Sequence, residues 1–291
     1  MSRKPLHPFA SQVRELGNEL RQIRERSGLT LRELARILHV DKSKVSRWEN
    51  GERAMSELEV AMYLGACRAT EDERNRLLRQ VRSLDDGAWV RPNGAEIPNE
   101  LQSLMFHECT AAAITSYEPM VIPGLLQTEE YTRALFRWAG TMTDDEIEVR
   151  VRVRLARQRL LNQHSPPQCT FFIHEHAFRA MVGSARIMHE QLMYLVLMGA
   201  QPHCTIRVVP HSAGPCGAFG GAFRLMRYAE HRSVVYAENH MLGVFIEDSP
   251  NVASYERIED RLGEIGVVGR QSREWVAKLA TAYSRAEGGA R

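Results

Sequence analysis

Along the first 85 residues, apolar side chains recur every three or four positions, which is the spacing of one face of an α-helix. Gly28 ends the first of these helices, and four further helical segments follow it. We therefore predict an all-α N-terminal domain of five helices over residues 1–85. The apolar face of its first helix consists of Val13, Leu16, Leu20 and Ile23.

Capping boxes mark several helix starts in this domain, because a Ser or Thr is followed three residues later by a Glu. Asp41 is suited to N-cap the third helix, with Val40 and Val45 as a hydrophobic staple. Gly51 ends that helix. The capping boxes are Thr30 with Glu33, Ser56 with Glu59 and Thr70 with Glu73.

A segment rich in Asp, Gly, Pro and Asn follows, and we predict a linker over residues 86–97. Beyond it, strand-like and helix-like patterns alternate, and the closely spaced strands of residues 204–248 favour an antiparallel sheet. We predict an α+β domain over residues 98–291, with a mainly antiparallel sheet flanked by helices. The strands are 114–119, 169–173, 204–210, 221–228, 233–238 and 243–248; the helices are 128–139, 144–163, 185–200, 251–264 and 270–285.

Composition places the chain among folded proteins, with 44% hydrophobic and 25% charged residues. It has neither an apolar N-terminal run of signal-peptide length nor a stretch of the roughly 20 apolar residues that cross a bilayer. We therefore expect a cytoplasmic protein with no membrane association. The five cysteines are widely spaced without a C-x-x-C pair, so we expect reduced and mostly buried thiols.

Positive charge is concentrated near the N-terminus, where residues 1–53 carry 12 Lys and Arg against 7 Asp and Glu. In the third helix, Val45 and Trp48 fall on the packing face, and the cations and serines fall on its N-terminal and outward sides. A short helix, a tight turn and a second helix that begins with cations is the arrangement that enters the DNA major groove. We predict double-stranded DNA as the partner; the alternative is a helical bundle with a solvated basic helix.

GLTLRELARILHVDKSKVSRWENG, residues 28–51, resembles the helix-turn-helix of the phage-repressor or xenobiotic-response-element (XRE) family. The resemblance implies that Arg24 pairs with Glu49. Leu31 departs from the family, since many relatives have glutamine there. The implied base contacts are Lys42, Ser43 and Arg47, and the implied phosphate contact is Asn50. We also assign phosphate contacts to Thr30, Lys44 and Ser46.

The C-terminal region resembles a bacterial family of antitoxin-like transcriptional regulators that is abundant in filamentous actinomycetes. The resemblance covers about residues 98–280 and rests on SYEPMVIPGLLQTEEYTRAL, RVRLARQRLL, FFIHEHAFRAMVG and CTIRVVP. It implies a dimeric regulator whose gene often lies beside a gene for a small partner protein. It does not identify a ligand.

Catalytic constellations are not evident in the C-terminal region. On an extended strand, His174 and His176 would share a face, but a third placed metal ligand is missing. Lys278 fits a solvated helix face better than the base of a self-cleaving repressor, and residues 214–221 fit a glycine-rich turn. Arg150, Arg154 and Arg157 form a basic ridge, either for DNA or an acidic partner or for salt bridges on a surface helix.

These patterns predict a transcriptional regulator that binds an inverted repeat as a homodimer, with the C-terminal domain dimerising and receiving a signal. The alternative is an antitoxin that binds a small partner protein and regulates its own operon. A third hypothesis, a DNA-binding module fused to a hydrolase, is the least favoured. We expect no enzymatic activity, no cofactor and no metal site.

Overall fold

The computed structural model describes residues 10–82, 88–92, 99–216, 220–238 and 242–288. Contacts between residues divide the chain into two compact units, one dominated by residues 1–89 and the other by most of the remainder. The first unit contains the five predicted helices. They are α1 (Ala10–Arg26), α2 (Leu31–Ile37), α3 (Lys42–Glu49), α4 (Glu57–Ala66) and α5 (Glu71–Arg82).

The capping signals in the sequence define the starts of these helices. Thr30 and Ser56 form complete capping boxes, and the reciprocal bonds between Thr70 and Glu73 are also present. Asp41 occupies the N-cap position of α3, but its side chain accepts no capping hydrogen bond. The start of α3 therefore relies less on its capping residue than the sequence pattern indicates.

The turn between α2 and α3 is closed by backbone hydrogen bonds. His39 takes a left-handed conformation, with a φ of 52°. Its N–H donates to the Arg36 carbonyl at 3.3 Å, and the Val40 N–H donates to the Ala35 carbonyl at 3.0 Å. These two bonds form a Schellman motif, which ends α2 sharply and leaves α3 only a few residues away.

The second unit is built on a mixed seven-stranded sheet in the order β1-β7-β6-β5-β2-β3-β4. The neighbouring strands β2, β3 and β4 are parallel, and β5 is antiparallel to both β2 and β6. The strands are β1 (Ala88–Pro92), β2 (Ala113–Glu118), β3 (Gln168–His174), β4 (Cys204–Val209), β5 (Phe223–Arg227), β6 (Val234–Glu238) and β7 (Leu242–Ile246).

Helices flank this sheet, so the predicted α+β fold class is confirmed. They are α6 (Asn99–Thr110), α7 (Glu129–Ala139), α8 (Asp144–Gln158), α9 (Glu175–Arg179), α10 (Ala185–Met198), α11 (Ser249–Ile265) and α12 (Gly269–Gly288).

One strand and two α-helices were not predicted: β1 falls inside the expected linker, α6 follows it, and α9 follows β3. The rest of that linker, 86–87 and 93–97, lies outside the described residues, as does part of the glycine-rich turn at 214–221. Cys67, Cys169 and Cys204 are buried free thiols and Cys109 is an exposed one. No helix in the described ranges is long and apolar enough to cross a membrane.

Candidate nucleic-acid interface

Helix α3 has one face in the N-terminal core and one face in solvent. Lys42, Ser43 and Arg47 are exposed, and together they cover the first two turns of the helix. Within the described residues, the Arg47 side chain makes one hydrogen bond, from Nε to the Ser43 carbonyl at 3.3 Å. The exposed face is therefore free to meet a ligand. The buried face consists of Val45, Trp48 and Glu49.

Close backbone approach fixes α3 against α1. Gly17 on α1 faces the carbonyl oxygens of Trp48 and Glu49 at the end of α3. A Cβ atom at position 17 would lie 2.4 Å from the Trp48 oxygen, which is closer than any real contact. The absence of a side chain at Gly17 lets the two helices touch.

A buried ion pair joins the same two helices. Arg24 donates through Nε to Glu49 Oε1 at 2.7 Å and through Nη2 to Glu49 Oε2 at 2.9 Å. Arg24 is 7% exposed and Glu49 is 3% exposed. This is the pair that the family resemblance implies, and its bidentate geometry is the strong form of an arginine–carboxylate interaction.

Two further residues complete this network, and neither role was predicted from the sequence. Tyr63 on α4 donates its hydroxyl to Glu49 Oε1 at 2.6 Å, and Arg21 Nε lies 3.3 Å from Oε2. Burial alone would raise the pKa of Glu49, but the hydrogen bonds from Arg24 and Tyr63 outweigh it and lower that pKa. Glu49 is therefore an ionised carboxylate that ties α1, α3 and α4 together.

Asn50 is exposed at the end of α3, where it was assigned a phosphate contact. Its Oδ1 accepts a hydrogen bond from Arg21 Nη2, and its Nδ2 donates to Glu52 Oε1 at 3.2 Å. Arg21 therefore links the buried Glu49 to the surface amide of Asn50. This link orients the Asn50 side chain before any partner binds.

Lys44 and Ser46, both assigned to phosphates, are half-buried. The Lys44 ammonium lies 3.0 Å from Glu59 Oε1 on α4 and 4.8 Å from the centre of the Trp48 ring. A phosphate would have to compete with Glu59 for this cation. Lys44 is thus less available than Lys42 or Arg47.

Thr30, also assigned to a phosphate, uses its hydroxyl within its own capping box. The hydroxyl donates to Glu33 Oε2 at 2.7 Å and accepts from the Glu33 N–H at 3.3 Å. A phosphate would therefore have to displace the Glu33 carboxylate from this hydroxyl.

Two exposed arginines on α2 extend the basic surface beyond the predicted residues. Arg32 and Arg36 are four positions apart and border, with Lys42, a depression between α2 and α3. Residues four apart lie on the same side of a helix, so the spacing of Arg32 and Arg36 was enough to predict that they share one face. These arginines bring positive charge to the side of the helix-turn-helix that carries the exposed face of α3.

His174 and His176 of the C-terminal domain do not share the strand face that an extended conformation would give them. His174 ends β3 and N-caps α9, accepting a hydrogen bond from the His176 N–H at 3.2 Å. His176 is therefore helical and does not share a strand face with His174. Among the described residues, no group of three or more His, Cys, Asp or Glu side chains could hold a metal ion.

Of the three arginines in the basic ridge on α8, Arg157 is buried, and Arg150 and Arg154 are half-buried. Arg157 is buried and donates to both oxygens of Glu108 on α6, at 3.0 and 2.7 Å. Arg154 donates to Gln127 Oε1 at 2.6 Å. Arg157 therefore forms an intramolecular salt bridge, as one of the two alternatives from the sequence has it, but this salt bridge is buried and not on the surface.

Two family models match the chain, one in each half. A helix-turn-helix domain family matches residues 15–77, so the N-terminal domain is the DNA-binding part of a transcriptional regulator. No curated protein matches the chain. The family described as a domain of unknown function (DUF5753) matches residues 101–278, which is more than half of the sequence, and the chain therefore belongs to that family.

Proposed function

We propose that this protein is a sequence-specific transcriptional regulator of the XRE type, which places α3 in the major groove of an operator. The observation that carries the proposal is the two-sided character of α3: Trp48 and Glu49 are held in the core, and Lys42 and Arg47 are free on the outside. A rigidly held helix with exposed cations at its start suits direct reading of base edges.

In this proposal the exposed and the engaged side chains have different tasks. Lys42, Ser43 and Arg47 contact bases, because arginine and lysine donate to guanine O6 and N7. Asn50, Lys44, Ser46 and Thr30 contact phosphates and set the register of the domain on DNA. Arg32 and Arg36 add charge for the backbone of the same duplex.

The regulator acts as a homodimer held by its C-terminal region and bound to an inverted repeat. One recognition helix covers few base pairs, and two helices about 34 Å apart match successive major grooves. We propose that the protein works by binding and not by catalysis.

Mapping the genomic sites that the protein occupies would identify the operator. The full chain is then titrated against that operator and against a random duplex at several salt concentrations. We expect at least about 1,000-fold tighter binding to the operator, as for other specific DNA-binding proteins. Equal affinity for the two duplexes would refute sequence-specific binding, and a monomer in sedimentation on the operator would refute the dimer.

A further inference from the structure

The C-terminal domain contains a polar cavity of about 190 Å³. It lies among α6, α7, α8, the segment 121–127 and strands β2, β5 and β6. That volume is larger than a single water needs and smaller than the pockets that hold drug-sized ligands. The charged side chains that line it are Glu118, Arg150, Arg154, Arg157, Arg224 and Glu238.

The wall formed by residues 122–128 is held by three glutamine side chains. Gln127 Nε2 donates to the Ile122 carbonyl at 2.7 Å, and Gln158 Nε2 donates to the Gln127 carbonyl at 2.6 Å. Gln191 Oε1 accepts from the Thr128 N–H at 2.7 Å. The distinctive sequence IPGLLQT therefore builds a fixed wall of this cavity.

Two of the arginines in the cavity are incompletely paired. Arg154 has Gln127 as a neutral partner and stacks at 4.6 Å over the Phe136 ring, and no carboxylate of the described chain forms an ion pair with it. Arg224 Nη2 lies 3.5 Å from Glu118 Oε1 and Nη1 lies 3.6 Å from Glu108 Oε1, and Nη1 is buried without a hydrogen-bond partner within the described residues. Arg224 is buried and Arg154 is half-buried, and a guanidinium group removed from water is costly unless something completes its hydrogen bonds.

Positive charge exceeds negative charge around the cavity. The four arginines face three carboxylates, those of Glu118, Glu238 and the Glu108 that holds Arg157. Burial, with Arg157 nearby, lowers the pKa of Arg154 to about 10, which still leaves Arg154 charged at neutral pH. Burial raises the pKa of Glu118 to about 7, so its negative charge is incomplete at neutral pH. The cavity therefore has an uncompensated charge of at least one positive unit.

Apolar side chains form another part of the wall, among them Leu101, Leu104, Leu135 and Phe136. An inorganic ion would leave this surface unused, whereas an organic molecule would cover it. Guanidinium groups bind carboxylates in a planar, two-point geometry, which a disordered solvent ion does not reproduce.

We propose that this cavity binds a small organic monoanion, whose carboxylate is held by Arg154 and Arg224 and whose apolar part packs against Phe136. The ligand completes the hydrogen bonds of the two guanidinium groups and balances the charge of the cavity. This site goes beyond DNA binding and gives the domain of unknown function a ligand of defined chemical class.

Thermal unfolding of the full chain tests the proposal, with acetate, lactate, benzoate and phenylacetate as probes at constant ionic strength. We expect at least one probe to raise the Tm of the C-terminal domain saturably, by roughly 3 °C for each tenfold increase above its dissociation constant. Benzamide, which is shaped like benzoate but uncharged, should raise it far less.

Variants on α8 supply the matched controls. Arg154→Gln should weaken binding of the active probe at least tenfold by calorimetry, and Arg150→Gln, at a second cavity position, should weaken it severalfold. Arg152→Gln, on an exposed position of the same helix, should bind normally. If Arg154→Gln does not fold, the Arg150→Gln result decides.

The proposal is overturned if no carboxylate produces a saturable shift up to about 10 mM, where even a millimolar ligand would be bound. It is also overturned if benzamide acts like benzoate, or if both cavity variants bind as well as Arg152→Gln. None of these measurements uses DNA, so their outcome is independent of whether the proposed operator binding holds.

Discussion

Gly17 of α1 and Trp48 of α3 meet backbone to backbone, and a methyl group at position 17 would lie 2.4 Å from the Trp48 carbonyl oxygen. The recognition helix is therefore positioned by a residue that contributes no side chain. Gly17→Ala must push α1 and α3 apart, and we expect it to destabilise the N-terminal domain by about 1–3 kcal/mol.

Gly65 on α4 is the matched control for this substitution, because a methyl group there meets nothing within 4 Å. Gly65→Ala should stabilise the domain by about 0.5–1 kcal/mol, since alanine is the better helix former. Urea unfolding of the two variants beside the parent chain measures both effects. Equal stability changes in the two variants would show that Gly17 is not a contact point.

Local signals in the sequence predicted the N-terminal domain well, because capping boxes and helical periodicity depend on residues a few positions apart. The partner of Arg24 was implied only by family resemblance, and Tyr63 was missed, since it reaches Glu49 from another helix. A contact between separate helices leaves no periodic trace in the sequence.

In the C-terminal domain, most strands were located, and the antiparallel pairing of β5 with β6 is confirmed, but the parallel pairing of β2, β3 and β4 was not predicted. The segment that forms β4 was grouped with the later strands, whereas it pairs in parallel with β3. The basic residues of α8 were placed on the surface because Glu108, the partner of Arg157, is 49 positions away. The cavity was not predicted because its wall combines elements that are far apart in the chain.

Removing the carboxylate of Glu49 should destabilise the N-terminal domain strongly. Glu49→Ala leaves Arg24 buried without its partner, and we expect a loss on the order of 3 kcal/mol. Thermal unfolding near pH 7 measures the loss. An unchanged Tm would mean that the pair contributes nothing.

The same carboxylate predicts a pH dependence. The pKa of Glu49 is lowered in the folded protein, so its contribution is present above the unfolded pKa of about 4.3 and is lost as pH falls through the folded value. Between pH 7 and acidic pH, the parent chain should therefore lose more stability than Glu49→Gln does. Parallel losses in the two proteins would place the acid sensitivity in other carboxylates.

Lys44 should contribute equally to the affinity for every DNA sequence. If its ammonium exchanges Glu59 for a phosphate, Lys44→Ala weakens operator and random duplexes equally and reduces the slope of log affinity against log salt by about one. Glu59→Gln is the informative partner variant, since it frees Lys44 and should strengthen binding to both duplexes. If Lys44→Ala instead reduced the preference for the operator over the random duplex, Lys44 would contact a base.

The sharpest prediction separates reading DNA from folding at two adjacent positions. Arg47 is exposed, and within the described residues its side chain hydrogen-bonds only to a carbonyl in its own helix, whereas Trp48 is 3% exposed. Arg47→Ala should therefore leave the Tm nearly unchanged and reduce discrimination for the operator by about 1–3 kcal/mol, the usual contribution of a bidentate guanine contact. Trp48→Ala should instead destabilise the domain by about 3–5 kcal/mol, because it empties a buried site.

Melting curves combined with titrations of operator and random duplexes distinguish the two effects. The Trp48→Ala protein is titrated at a temperature where it remains folded, so that lost binding reflects the position of α3 and not unfolding. If Arg47→Ala loses affinity equally for both duplexes, Arg47 contacts the phosphate backbone. Lys42 and Ser43 would then be the only remaining base contacts of those assigned to α3.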